Sequence, residues 1–351
     1  MPPIKWMSGA QVAEVLARAG VSLSNRTRTG RLSVREEVLE RLEDSHSLIP
    51  LILEYRRTIK LLGMAKTLRK FCRPEGEGGV INCEWLQTGV PTGRFRSRNP
   101  NLQQIPEALR SAFIPRPGFL FLSADFDQIE LRILAACSKE RTLLDAFRLG
   151  QDPHAATAAM MLDVPVDQIH PEQRALGKTL NYAVLYGTGS GGLAGRLKVS
   201  RSKARELQDQ YFKAVPSLTA FLEALKVRAI SRGYVESYYG RRRPLPEIYS
   251  DNPKLQAFGM RSAVNGFAQS TASDIFKAAM LRLAAALPRI KARLLLVLHD
   301  AVLIEVPESV PLRAAVPLIR GVLETEIEGL LLTVTVSTGP DWSRLSKAGG
   351  L

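Results

Sequence analysis

The stretch LLLVLHDAVLIEVP, Leu294–Pro307, constrains the fold more than any other. Its two apolar runs read as a pair of buried strands, and His299–Asp300 interrupts them as a turn would. An ionised carboxylate set among Leu and Val is costly unless a cation or hydrogen-bond donors compensate it. Asp300 therefore needs a partner from elsewhere in the chain, or else it is a plain turn residue, a place where Asp is common. Taken alone, the turn reading is the simpler.

A second acid changes the comparison. GFLFLSAD is a short apolar run that ends in Asp125 and reads as another buried strand. If the two strands are neighbours, Asp125 and Asp300 can share divalent cations. Mg2+ takes oxygen ligands and binds through one or two carboxylates plus substrate phosphates. Two such ions ~3.5–4 Å apart stabilise the attacking and leaving oxygens of a phosphoryl transfer.

The rest of the pattern is mostly helical. GAQVAEVLARAG has helical spacing and ends at Gly20, a suitable C-cap. Ser33 and Glu36 in SVREEVLERLED form a capping-box pattern. A long, basic, amphipathic helix is expected after Pro50, running to Phe71. From Arg73 to Pro117, Gly, Pro and Asn predict short strands and loops. Helices return from Gln128 to about Lys277, interrupted by the strand-like GYVESYYGRRRPLP. A helix is expected around Arg313–Glu328, and LLLTVTVSTG reads as a closing strand. The simplest architecture is a sheet core interrupted by a helical lobe.

Composition narrows the function classes. Lys plus Arg (48) exceeds Asp plus Glu (34), a formal net charge of +14, which suits a polyanionic partner such as nucleic acid. The three cysteines contain no C-x-x-C pair, so neither a disulfide framework nor a zinc site is indicated, and a reducing compartment fits. The N-terminus does not read as a signal peptide, and no apolar run is long enough to span a membrane.

RALGKTLNYAVLYG, Arg174–Gly187, sets Arg174, Lys178 and Tyr182 along one helix face at i, i+4 steps. A nucleoside triphosphate needs such an order: cations for the phosphates, then a flat surface for base and sugar. On an isolated helix, a solvated basic face beside a core tyrosine would be the plainer reading. Gly177 inside this helix costs roughly 1 kcal/mol relative to Ala and leaves room for close approach of another group.

Together these residues resemble the polymerase domain of family A DNA polymerases. TGRFRSRNPNLQQIP, DFDQIELR, RALGKTLNYAVLYG, GYVESYYGRRRPLP and NGFAQSTASDIFKAAM match family blocks in the family's order, and HDA stands where the family has H-D-E. The resemblance implies an α+β right-hand fold, with an antiparallel-sheet palm (76–135 and 275–351), helical fingers (136–274) and a truncated helical thumb (1–75). It leaves no counterpart for the nuclease domains of larger relatives. It implies template-directed DNA synthesis with dNTPs and primer–template DNA, two Mg2+ ions (or Mn2+ in their place), a cytoplasmic, nucleoid-associated setting and a monomer. The short thumb implies low processivity, which a replication partner would raise.

Site roles follow from the same resemblance. Asp125 and Asp300, with the Phe126 carbonyl, would hold metal. Lys178 would act in catalysis and, with Arg174 and His154, hold the triphosphate. Tyr182, Gln128 and Glu130 would complete the dNTP site, Glu130 as a gate against a ribose 2′-OH. Arg94, Asn101, Gln103, Tyr186, Arg261, Asn265, Gln269 and His299 would contact primer–template.

Three departures stand out. Ala301 replaces a glutamate, Asp127 replaces a serine and is either a partial replacement carboxylate or a solvated acid near the site, and Tyr182 stands where many relatives have Phe. In the family, Tyr there accompanies acceptance of dideoxynucleotides. A single-subunit RNA polymerase is the nearest alternative, opposed by Glu130. Comparison of rNTP with dNTP incorporation separates the two. A catalytically weak nucleic-acid-binding homologue is a further alternative, motivated by Ala301.

Overall fold

The computed structural model describes residues 3–27, 29–76 and 78–348. Arg28 of the expected basic loop, Glu77, and the two ends of the expected lobes lie outside them. The chain divides into two compact units: Met1–Glu84 with Arg98–Ser111, and Trp85–Ser97 with Ala112–Leu351.

The first unit is built on helices. Gly9–Arg18 ends as expected, with Gly20 at φ +81 just beyond it. Its buried face (Val12, Ala13, Leu16) joins Ile49, Ile52 and Leu53 in a small core. The capping box at Ser33 and Glu36 does not form. Ser33 lies in a non-helical stretch and donates its N–H to Asn25 O, and the next helix starts only at Glu36. Glu36 instead accepts from Arg57 and Lys60, both at 2.9 Å. The long helix runs Leu48–Phe71. Pro50 falls inside its first turn, where a missing N–H costs nothing. The helix is less amphipathic than expected, since Leu51, Tyr55 and Leu62 are exposed.

The second unit centres on a five-stranded antiparallel sheet. Its order is Ser346–Lys347, Val334–Gly339, Phe119–Phe126, Ala301–Pro307, Arg293–Leu298. The expected hairpin is present: Leu298 pairs with Ala301 around a two-residue turn. The expected C-terminal strand is broken, with Leu330–Leu332 pairing with Thr325–Ile327 and Val334–Gly339 joining the main sheet. The preceding helix is correspondingly shorter, Leu312–Leu323.

Strand periodicity decides which face of the sheet is open. Along Phe119–Phe126, Leu122, Ala124 and Phe126 alternate onto the core face. Their neighbours Val302, Ile304, Val334 and Val336 continue that face. The Pro253–Ala286 helix packs against this core, its Phe276 ring 6.3 Å from that of Phe126. The opposite set reads Phe121, Ser123, Asp125, turning polar toward the end of the strand. The sheet therefore opens to solvent at Asp125, which is exposed, while its pleat neighbours are not.

Candidate active site

Asp125 and Asp300 come together because their strands are adjacent. Asp125 lies opposite Ala301 in the ladder, and Phe126 N–H donates to Asp300 O at 3.2 Å. Asp300 occupies the hairpin turn and is half-buried. His299, the first turn residue, is exposed and has φ +59, the left-handed region a two-residue hairpin demands of its first position. Asp125 is exposed by surface area yet crowded at the strand end, and partial desolvation with the charges of Asp300 and Asp127 pushes its carboxyl up to about 7. Burial also raises Asp300, against the opposing pull of Arg94. Neither acid forms an ion pair among the described residues. Like charges crowded in this way fit a divalent cation, which relieves both repulsion and desolvation. No group of three or more His, Cys, Asp or Glu that could hold a metal ion occurs among the described residues.

Asp127 leaves the strand. Its oxygens accept from the hydroxyls of Thr335 (2.6 Å) and Thr333 (2.8 Å). Thr335 is the ladder partner of Asp125, so Asp127 is held at the flank of Asp125 opposite Ala301. Gln128, at φ +52, turns the chain straight into the Ile129–Ser138 helix. Glu130 thereby lies in that helix's first turn, buried and ion-paired to Arg94. Burial raises the Glu130 carboxyl while Arg94 draws it down. Glu130 Oε2, Gln128 Oε1 and Asn265 Oδ1 are buried without a hydrogen-bond partner among the described residues. Buried acceptors left this way call for donors from a ligand or solvent.

The expected cationic face forms on the Pro171–Leu185 helix, with Arg174 and Lys178 exposed and Tyr182 half-buried. Arg174 Nε donates to Asp152 Oδ2 at 2.5 Å. The Tyr182 ring stacks on Tyr186 (centroids 6.2 Å apart, planes 11° apart) and lies 5.6 Å from the His154 ring. Burial, with the charges of Asp300 and Glu130, raises the Tyr182 hydroxyl, which ties this helix electrostatically to the carboxylates.

Comparison with known proteins shows the family of the chain. The family model for DNA polymerase family A matches residues 3–344. The chain belongs to DNA polymerase family A. It is 35% identical over 350 residues to the thermostable DNA polymerase I of Thermus filiformis, covering 97% of this chain and 42% of that one. It is 37% identical over 322 residues to DNA polymerase I of Deinococcus radiodurans, covering 90% and 33%. The fold matches the POL domain of Pol1 from M. smegmatis, solved in complex with DNA primer-template and dNTP, at TM-score 0.89 and 31% identity, covering 97% of this chain and 61% of that one. The chain thus spans about two-fifths or less of the curated relatives' lengths.

The other residues expected to contact primer–template divide between the two units. Arg261 packs against Gly187, and Asn265 Nδ2 donates to Tyr186 O at 3.4 Å, so both border the end of the Tyr182 helix. Gln269 follows one turn later on the same face. Asn101 and Gln103 lie in the first unit, Asn101 capping a short helical turn by accepting from Gln103 N–H. Sequence reasoning missed Asp152, Thr157, Asn181 and Tyr211; Asp152 caps at His154 N–H, Asn181 meets the His154 ring, and Thr157 and Tyr211 bond Asn181. The Asp-Pro pair at 152–153 was the one readable signal among them, an N-cap followed by Pro.

Proposed function

We propose that this chain adds deoxynucleotides to the 3′-OH of a DNA primer as a template directs. The observation that carries the reading is the pairing of Asp125 and Asp300 on adjacent central strands, within electrostatic reach of a helix that carries Arg174, Lys178 and Tyr182. Bound at the two carboxylates, Mg2+ would neutralise charge on the attacking and leaving oxygens of phosphoryl transfer. Arg174 exchanges Asp152 for a phosphate, as a guanidinium fork suits both. Lys178 adds a point charge where the pyrophosphate develops negative charge. Tyr182 offers its ring to base and sugar. Glu130, locked by Arg94, fills the space that a 2′-OH would need. Asp127 supplies an outer carboxylate in place of the glutamate absent at Ala301.

Primer extension with Mg2+ and dNTPs tests the reading. Wild type is expected to extend and Asp300→Asn to lose at least ~1,000-fold in rate, the scale of losing a major electrostatic contributor. DNA binding without extension by wild type would instead support a catalytically weak homologue.

A further inference from the structure

We propose that Asn181 is a positioning residue that holds the His154 ring with Nε2–H as its single donor, available to a phosphate oxygen of the incoming nucleotide. The proposal rests on the reading of the site as a dNTP site. It follows from accounting for every proton in a buried cluster.

The accounting starts at Thr157, which is fully buried. Its hydroxyl has one proton, and that proton goes to Pro153 O one turn back at 2.8 Å. Thr157 Oγ1 is then an acceptor for its other neighbours. The Asn181 amide lies across it, Nδ2 at 3.1 Å and Oδ1 at 3.3 Å. The same Nδ2 lies 3.0 Å from His154 Nδ1, so Nδ1 accepts. On the far side, Asn181 Oδ1 accepts from the Tyr211 hydroxyl at 2.9 Å. Tyr211 is buried, and burial pushes its phenol up, so it keeps that proton. Thr157 Oγ1 lies near both ends of the amide, so it is the Tyr211 hydroxyl, donating to Oδ1, that fixes the amide orientation.

With Nδ1 accepting, the proton of a neutral ring sits on Nε2. The ring is neutral near pH 7. Burial above all, aided by the charges of Arg174 and Lys178 and opposed by Asp152, pushes His154 down to about 4. A neutral ring with Nε2–H gives a phosphate a donor. The reverse tautomer would turn a lone pair toward the anion. Asp152 anchors the same region, capping the Pro153–Leu162 helix at His154 N (2.8 Å) and pairing with Arg174. Ring orientation and guanidinium position are therefore set together.

The chain has four histidines, so ring-nitrogen NMR of 15N-histidine-labelled protein is tractable, with His154→Gln assigning the signal. An unprotonated Nδ1 and a protonated Nε2 at neutral pH are expected. A protonated Nδ1, or an imidazolium, overturns the proposal. Steady-state extension supplies the second readout. Thr157→Val removes one hydrogen-bond partner of the Asn181 amide at constant shape, whereas Thr157→Ser keeps it. Thr157→Val should raise KM for dNTP about five- to ten-fold, the worth of roughly one hydrogen bond, with kcat within about two-fold. Thr157→Ser should stay near wild type, and Tyr211→Phe should move as Thr157→Val does. Equal KM values in Thr157→Val and wild type, with unchanged melting, overturn the proposal. Absence of extension by wild type sinks the polymerase reading instead, while the tautomer result stands or falls alone.

Discussion

Asp125 is the residue at which fold and chemistry pull hardest against each other. Without a cation, partial desolvation and the charges of Asp300 and Asp127 push its carboxyl up to about 7, above the ordinary Asp value of 3.8. The folded state then binds more protons than the unfolded state between those values, so this group's contribution to stability falls as pH rises through the window. A divalent cation competes with that proton. The melting increase produced by Mg2+ should therefore grow from about pH 6 to about pH 8 and lose that dependence in Asp125→Asn. Differential scanning calorimetry reads both. Asp127→Ala should raise the Mg2+ needed for half-maximal extension about ten-fold, the usual scale for an outer-shell partner. An unchanged Mg2+ requirement would reduce Asp127 to a tether for Thr333 and Thr335. The Tyr182 hydroxyl, raised by burial, stays a donor at working pH and can stand in for an absent 3′-OH. Tyr182→Phe should cut dideoxynucleotide use relative to dNTP by about ten-fold or more, the worth of a hydrogen bond to a charged group, in a chain-termination assay.

Among the elements, the Pro171–Leu185 helix carries the most readable constraint. Its cationic face was legible as i, i+4 spacing, and Gly177 signalled a close approach. A Cβ at Gly177 would meet the carbonyl oxygen of His154 at 2.2 Å and the N of Ala158 at 3.2 Å. Gly177→Ala gains about 1 kcal/mol of helix propensity but forces two backbones apart, which costs more, typically 1–3 kcal/mol and upward against rigid atoms. A lower melting temperature and weaker dNTP binding, by equilibrium titration, are expected together. Elements with few long-range cues were read less well. The Ser33–Glu36 pattern is locally a capping box, but distant Arg57 and Lys60 claim Glu36, and the Asn25 carbonyl holds Ser33. LLLTVTVSTG reads as one strand, yet Thr333 turns toward Asp127 and the run divides between two sheets. Local periodicity carries no information about either event.

For the whole molecule, the alternation along Phe119–Phe126 and the apolar hairpin at Leu294–Pro307 were enough to predict a sheet with paired acids. The His154 cluster was not legible, because Thr157, Asn181 and Tyr211 are polar residues at unrelated spacings that meet only after helices pack. The charge of +14 has a direct consequence for binding. Affinity for primer–template DNA should fall log-linearly with salt, losing on the order of ten-fold or more between about 50 and 200 mM, as phosphate contacts release counterions. Fluorescence anisotropy at several salt concentrations measures the slope.

The sheet order also governs when the molecule can exist. Phe119–Phe126 lies between Val334–Gly339 and Ala301–Pro307, both drawn from much later in the chain. Until those residues emerge, the central strand has two bare edges and Asp125 has no Asp300 beside it. An incomplete chain is thus both inert and prone to edge-to-edge pairing with its neighbours. The same topology that assembles the carboxylates makes Ala301–Pro307 and Val334–Gly339 the strands whose arrival completes the site.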